Sequence, residues 1–307
     1  MEKNIFAPKV VEYKCTKYDY LPNMGLKFKF DDMPLIGVFG VTKAGKSCWI
    51  NAYFIHHVIH NVPARNIIIM SPTFENDDSY APLWNFMKHK LGKDYKNNIF
   101  SEINTKRISE INDMQIAIKN AKSEKLYQKV YDTEKKNDKK IEKFQKNNRK
   151  FAMKISALAQ LEDLADKPLE WYVFLLDDVL GDKAMKGYFS FLSYYCLKSR
   201  HANVSFIFTA QVFTKLDSSI RGNLSLFVLF YQHPVKKALW EEIPDDESKE
   251  TFKKYYYDLI KNGEQYSFLM VNNYAGAEHQ NEFLYVNGKT HEQKWISLKK
   301  DNVEDDD

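Results

Sequence analysis

The chain has little cysteine, glycine or arginine. Its three cysteines, Cys15, Cys48 and Cys196, are spread over 307 residues and form no C-x-x-C pair. That excludes a disulfide framework and a structural zinc site, and it fits a reducing compartment. No window of about 18 apolar residues exists, so no segment has the pattern of a membrane-crossing helix. Met1 to Lys9 lack the apolar core of a signal peptide. The expectation is a soluble, intracellular protein. Against 40 lysines stand only Arg65, Arg107, Arg149, Arg200 and Arg221.

What is present is enough for a core. Hydrophobic residues make up 44% and charged residues 28%, which suits one large domain or two small ones. The net charge of +4 is unevenly placed. Between residues 121 and 155, twelve basic side chains face five acidic ones, a surplus of +7, and the rest of the chain carries −3. This Lys-rich stretch fits a solvated helical face or a surface for nucleic-acid phosphates.

With only 11 glycines in the chain, one glycine-containing stretch stands out. Gly40-Val41-Thr42-Lys43-Ala44-Gly45-Lys46-Ser47 fits G-x-x-x-x-G-K-[ST] at every fixed position. The apolar run Leu35 to Phe39 precedes it, and a helix-like segment from Lys46 to about His60 follows, beginning with Cys48. Strand, loop and helix are the setting this motif requires. Backbone N–H groups of residues 40–48 would cradle phosphates, and the helix dipole would add positive character. Lys46 would reach the β- and γ-phosphates of ATP, and the Ser47 hydroxyl would bind Mg²⁺.

Further apolar runs read as buried strands: Asn66 to Met70, Ile99-Phe100, Trp171 to Leu176, Val204 to Thr209, Leu224 to Tyr231, Phe268 to Val271 and Phe283 to Val286. Leu83 to Leu91, residues 183–200 and residues 246–262 read as helices. The spacing of Ile108, Ile111, Met114 and Ile118 is helical. Residues 121–165 read as a helical hairpin turning at Asp132 to Lys140. The pattern gives a lead-in over 1–30, an α/β domain over 31–275 with a helical insertion at about 108–165, and a strand with an acidic tail over 276–307.

The run Trp171 to Leu176 closes in Asp177-Asp178. An apolar strand ending in carboxylates is the second mark of an ATPase: Asp177 would hold Mg²⁺, and Asp178 would orient and polarise the attacking water. Gln211, after the strand ending at Ala210, would sense the γ-phosphate or position that water. Arg221, with Arg200 second, is the arginine best placed to act across a subunit boundary. Thr73 or Glu75, in the loop after Met70, would face a ligand, or the loop is a plain strand-ending turn. His56 and His60, one helical turn apart, have no third ligand group nearby in sequence and read as ordinary helix-flank residues.

The order of these parts resembles the poxvirus-type genome-packaging ATPases of the FtsK–HerA superfamily, found in large DNA viruses, virophages and related mobile elements. The phosphate loop comes first, followed by Ser71-Pro72-Thr73, a charged insertion, Asp177-Asp178, Ser199-Arg200-His201, Gln211 and Arg221. The resemblance covers roughly residues 33–272. It implies an additional-strand P-loop fold, with a strand between the phosphate-loop strand and the Asp-Asp strand. It implies a homo-oligomeric ring, a pentamer or hexamer, that pumps double-stranded DNA into a preformed capsid and docks on capsid vertex proteins. Lys46 and Ser47 would bind nucleotide and Mg²⁺, Asp177 the metal, Asp178 the water; Gln211 would be the sensor and Arg221 the trans-acting finger. Two positions depart from the pattern: Asp178 stands where Glu is common, and Lys43 where small residues are. A related DNA-transfer or helicase motor and a capsid scaffold that binds nucleotide with little hydrolysis are the alternatives.

Overall fold

A computed structural model describes residues 35–134, 164–178, 189–231, 246–261, 266–273, 282–290 and 292–297. The expected lead-in, the middle of the helical insertion and the acidic tail lie outside them.

The apolar runs form strands where their pattern places them. These are β1 (Leu35–Phe39), β2 (Ile67–Met70), β3 (Ile99–Phe100), β4 (Tyr172–Leu176), β5 (Val204–Ala210) and β6 (Leu226–Leu229). The set continues with β7 (Phe268–Asn272), β8 (Glu282–Val286) and β9 (Gln293–Ser297). All nine join one sheet in the order β3-β2-β4-β5-β1-β6-β7-β8-β9. Strands β1 to β6 pair in parallel, and β7, β8 and β9 add in antiparallel fashion beyond β6. β5 stands between β1 and β4, so the α/β fold is the P-loop NTPase type with an additional strand. β9 has no counterpart among the sequence expectations, because Gln-Lys-Trp-Ile-Ser lacks a continuous apolar run.

Helices cover both faces. On one side lie α1 (Lys46–Tyr53) and α2 (Ala81–Leu91); on the other lie α3 (Thr105–Glu134), α4 (Phe189–Ala202) and α5 (Asp246–Tyr255). Burial on both faces explains why the strands are apolar without alternation. In β1, Leu35 and Phe39 join the α3/α4 layer, while Ile36 and Val38 join the α1/α2 layer. In β4, Phe174 and Leu176 face the first layer and Val173 and Leu175 the second. Each such fully buried side chain contributes about 1.5–3 kcal/mol relative to exposure.

Two helices show detail beyond their expected spans. α1 is regular only to Tyr53 and continues as a π-helical turn, Phe54–Val58, along which Trp49, Tyr53 and His57 stack at 5.1 and 5.3 Å between ring centroids. Burial, aided by His56 and His60, pushes the His57 imidazole down to about 4, so it is neutral at physiological pH. α3 runs unbroken for 30 residues through the first part of the expected hairpin. Its early turns are held by buried Ile108, Ile111 and Ile118. Lys125 Nζ pairs with Asp166 Oδ1 at 2.5 Å, which ties α3 to the residues just before β4.

Candidate active site

Strand register builds the site. Met70 is level with Leu176, and Leu176 with Phe208. The next residues, Ser71, Asp177 and Thr209, therefore meet at one edge. Ser71 Oγ donates to Asp177 Oδ2 (2.9 Å), and Thr209 Oγ1 donates to Asp177 Oδ1 (2.6 Å). The same Thr209 oxygen accepts from the Asp178 N–H at 2.9 Å. Burial pushes the Asp177 carboxyl above its ordinary range, against hydrogen bonds that favour the charged form and with neighbouring Asp178 adding to the rise. Stability is full below the ordinary carboxyl value and falls as pH rises through the raised one, so an ionised Asp177 is a cost to the ligand-free protein. Asp178 is exposed and has a left-handed backbone (φ 52°), which a non-glycine residue rarely adopts. That turn separates its carboxylate from the buried one before it.

The phosphate loop closes over the same edge. Gly40 N–H donates to Ala210 O (3.1 Å) and Val41 N–H to Tyr231 O (2.8 Å), fixing the loop between β5 and the end of β6. A Cβ on Gly40 would stand 2.5 Å from the Phe230 Cβ. Gly40→Ala is therefore expected to destabilise the protein by about 1–3 kcal/mol, read as a lower denaturation midpoint. Gly45 caps α1 with φ 118° and no side-chain cap bond, which leaves the first N–H groups of the helix, at Lys46 and Ser47, for a ligand. Thr42 and Lys43 are exposed at the tip, and Lys43 is left-handed (φ 63°); Ala44 N–H turns back to Val41 O.

Lys46 Nζ donates to Gly40 O (2.7 Å) and Val41 O (3.1 Å). Burial pulls its ammonium below the ordinary lysine value, while Asp178, Asp177 and Asp77 oppose the shift. Three carboxylates therefore act on the loop lysine, and the two segments far apart in sequence lie on one side of the molecule. Ser47 Oγ donates to Asp77 Oδ2 across a long 3.4 Å. Ser47 hydroxyl and the Asp177 carboxylate form a hard, all-oxygen donor set that suits Mg²⁺, which keeps several waters and uses one or two carboxylates beside substrate phosphates.

Other expected residues sit elsewhere. Gln211 is exposed directly after β5, beside the loop's anchor at Ala210. Arg221 ends a short helix (Ser218–Arg221), half-buried, with Nη1 donating to Leu216 O at 2.6 Å and its guanidinium 5.2 Å from the Phe213 ring centre. Soon after it, Ser225 N–H donates to Leu35 O, at the end of β1 remote from the loop. Arg200 is exposed near the end of α4, where Asn203 O accepts from Tyr172 N–H at the start of β4. Neither arginine is brought to Lys46 within the subunit. Glu75 accepts from Tyr95 Oη at 2.9 Å, and Thr73 lies against Ser71.

No family model matches the chain, and no curated protein matches it. Among solved structures, it is similar to the genome packaging NTPase B204 from Sulfolobus turreted icosahedral virus 2 in complex with AMPPCP. That likeness has 16% identity and a TM-score of 0.40 over 87% of this chain and 98% of the other. The DNA-packaging ATPase B204 from Sulfolobus turreted icosahedral virus gives 15% identity and a TM-score of 0.38 over 87% and 97%. EccC of Thermomonospora curvata (ATPases 2 and 3), in complex with a signal sequence peptide, gives 11% identity and 0.38 over 88% of this chain and 37% of that one.

Sequence reasoning missed Ser71 and Thr209 as partners of Asp177, Asp77 as the partner of Ser47, and Asn51. The signal for the first two was present: each is a polar residue at the C-terminal edge of an apolar strand. Asn51 is fully buried on α1. Its Nδ2 donates to Ser47 O (3.0 Å) and to Ser79 O, and its Oδ1 accepts from Leu83 N–H (3.2 Å). It ties the helix of the phosphate loop to residues 79–83.

Proposed function

We propose that the protein hydrolyses ATP to drive double-stranded DNA into a preformed capsid, working as a ring of identical subunits. The observation that carries the ATPase part is the gathering of Lys46, Ser47, Asp177 and Asp178 at one edge of the parallel sheet, with β5 inserted between their strands. The spacing of Ser71-Pro72-Thr73, Asp177-Asp178, Gln211 and Arg221 along the chain supports the packaging part.

The reaction is phosphoryl transfer to water, in which the protein supplies position and charge. Main-chain N–H groups of residues 42–48 bind the phosphates, and Lys46 leaves Gly40 O and Val41 O to hold the β- and γ-oxygens. Ser47 and Asp177 would hold Mg²⁺, which when bound offsets the charge that develops on the phosphates. Asp178, exposed and turned away from its buried neighbour, accepts a proton from the attacking water at its carboxylate. Gln211 orients that water. Arg221 of one subunit serves the phosphate site of the next.

ATP turnover with and without duplex DNA, followed together with oligomer size, tests this reading. Turnover that rises with DNA and with assembly is expected. Nucleotide binding with no turnover under either condition would favour a scaffold. The Lys-rich excursion is the proposed DNA-binding surface. Removing residues 126–163, whose flanks meet at Lys125 and Asp166, is expected to weaken DNA binding. It should also flatten the dependence of affinity on salt, by about 0.9 in the log–log slope for each DNA phosphate that the excursion neutralises. An unchanged slope would leave the excursion as a solvated face.

A further inference from the structure

The segment after β2 contributes more to the site than a strand-ending turn. Asp77 caps the short helix Asp78–Tyr80, its Oδ1 accepting from Ser79 N–H at 2.8 Å, while its Oδ2 accepts from Ser47 Oγ. Asn51 fixes this segment to α1 on both sides of Tyr80. Tyr80 is fully buried and packs on Phe74 at 5.1 Å. Its hydroxyl interacts with Asp177 and Ser47 yet completes no hydrogen bond of good geometry with either. Native proteins keep few buried polar atoms in that condition, and each calls for an explanation. Phenylalanine would fill the same space without the unpaired group.

The Tyr80 hydroxyl interacts with Asp177, Ser47 and Asp77, the groups on the cation side of the site. We infer that Tyr80 and Asp77 complete the Mg²⁺ site: the Tyr80 hydroxyl donates to a water of the cation's shell, and Asp77 holds the Ser47 hydroxyl so that its lone pairs face the cation. Tyr80 is then a ligand-contacting residue, and Asp77 is a positioning residue acting through Ser47. The inference rests on the nucleotide reading of the loop. It gives the buried phenol a partner that arrives only with the ligand, and it gives Ser47 a fixed proton direction that Asp177, bonded to Ser71 and Thr209, does not supply. Outer partners of this kind typically change metal affinity by about 10- to 100-fold.

The test uses the full chain, the β,γ-methylene analogue of ATP, and thermal unfolding in EDTA or in a Mg²⁺ titration. Tyr80→Phe is expected to raise the midpoint of the ligand-free protein by about 2–4 °C. It should keep the stabilisation by nucleotide in EDTA and need about 10- to 100-fold more Mg²⁺ for the metal-dependent increment. Asp77→Asn, which keeps the capping oxygen, is expected to shift the Mg²⁺ titration in the same direction while nucleotide still stabilises the variant in EDTA. Wild-type Mg²⁺ titrations in both variants would overturn the inference and leave the nucleotide reading standing. If the unaltered protein shows no nucleotide-dependent shift in EDTA or Mg²⁺, matching Lys46→Ala, the nucleotide reading itself falls and this inference with it.

Discussion

Arg221→Ala is expected to bind ATP as the unaltered protein does and to lose turnover by about 10³–10⁵-fold, the range an arginine finger supplies. Within its own subunit the guanidinium is held by Leu216 O and the face of Phe213, away from Lys46. It serves catalysis only by exchanging that carbonyl for a phosphate oxygen of a neighbour. Mixing decides the point. Asp178→Asn subunits lack the water-activating carboxylate but keep Arg221, so adding them to Arg221→Ala subunits should restore part of the turnover. Arg221→Lys should not, because an ammonium lacks the planar fork that grips two oxygens. No rescue on mixing, together with a lowered unfolding midpoint in Arg221→Ala, would reduce the residue to a staple of the stretch from Leu216 to Arg221.

Lys46→Ala is expected to lose binding and turnover together. Lys46 Nζ reaches two loop carbonyls, at 2.7 and 3.1 Å, so it lies within the turn of the loop. Hydrogen bonds from a charged group are worth about 1.5–3 kcal/mol each, and losing two lowers nucleotide affinity by about 10²–10⁴-fold. Asp178, Asp177 and Asp77 also lose the loop ammonium whose charge offsets theirs. Equilibrium titration with nucleotide and steady-state turnover check both parts. Full activity in this variant would remove the motif's role.

The sheet was legible because burial on two faces writes strands as unbroken apolar runs, and residues such as Gly40, Ser71 and Asp177 mark where each run stops. β9 was not, since Gln293 to Ser297 forms the outer strand of an antiparallel extension and carries polar side chains. α3 was legible through its charges, because a helix needs apolar contacts only on the side it buries, and it runs to Glu134, inside the stretch read as the turn. In the site, the phosphate loop and the two aspartates could be read from local pattern. The Ser71–Asp177–Thr209 bonds could not, because they exist only once β2, β4 and β5 lie side by side in register. Tyr80 was hidden for a related reason: a tyrosine in a mixed loop gives no sign that its hydroxyl is buried beside a carboxylate.

The neighbours of β1 set when the nucleotide cradle can form. Both flanking strands, Val204–Ala210 and Leu226–Leu229, come from the last third of the chain, as do the carbonyls of Ala210 and Tyr231 that pin the loop. During synthesis the glycine-rich turn therefore leaves the ribosome long before its walls exist, and the long loop must close first. Completion of the loop is thus a late event in maturation, and a chain cut short of Val204 would carry the glycine-rich turn without either of its walls.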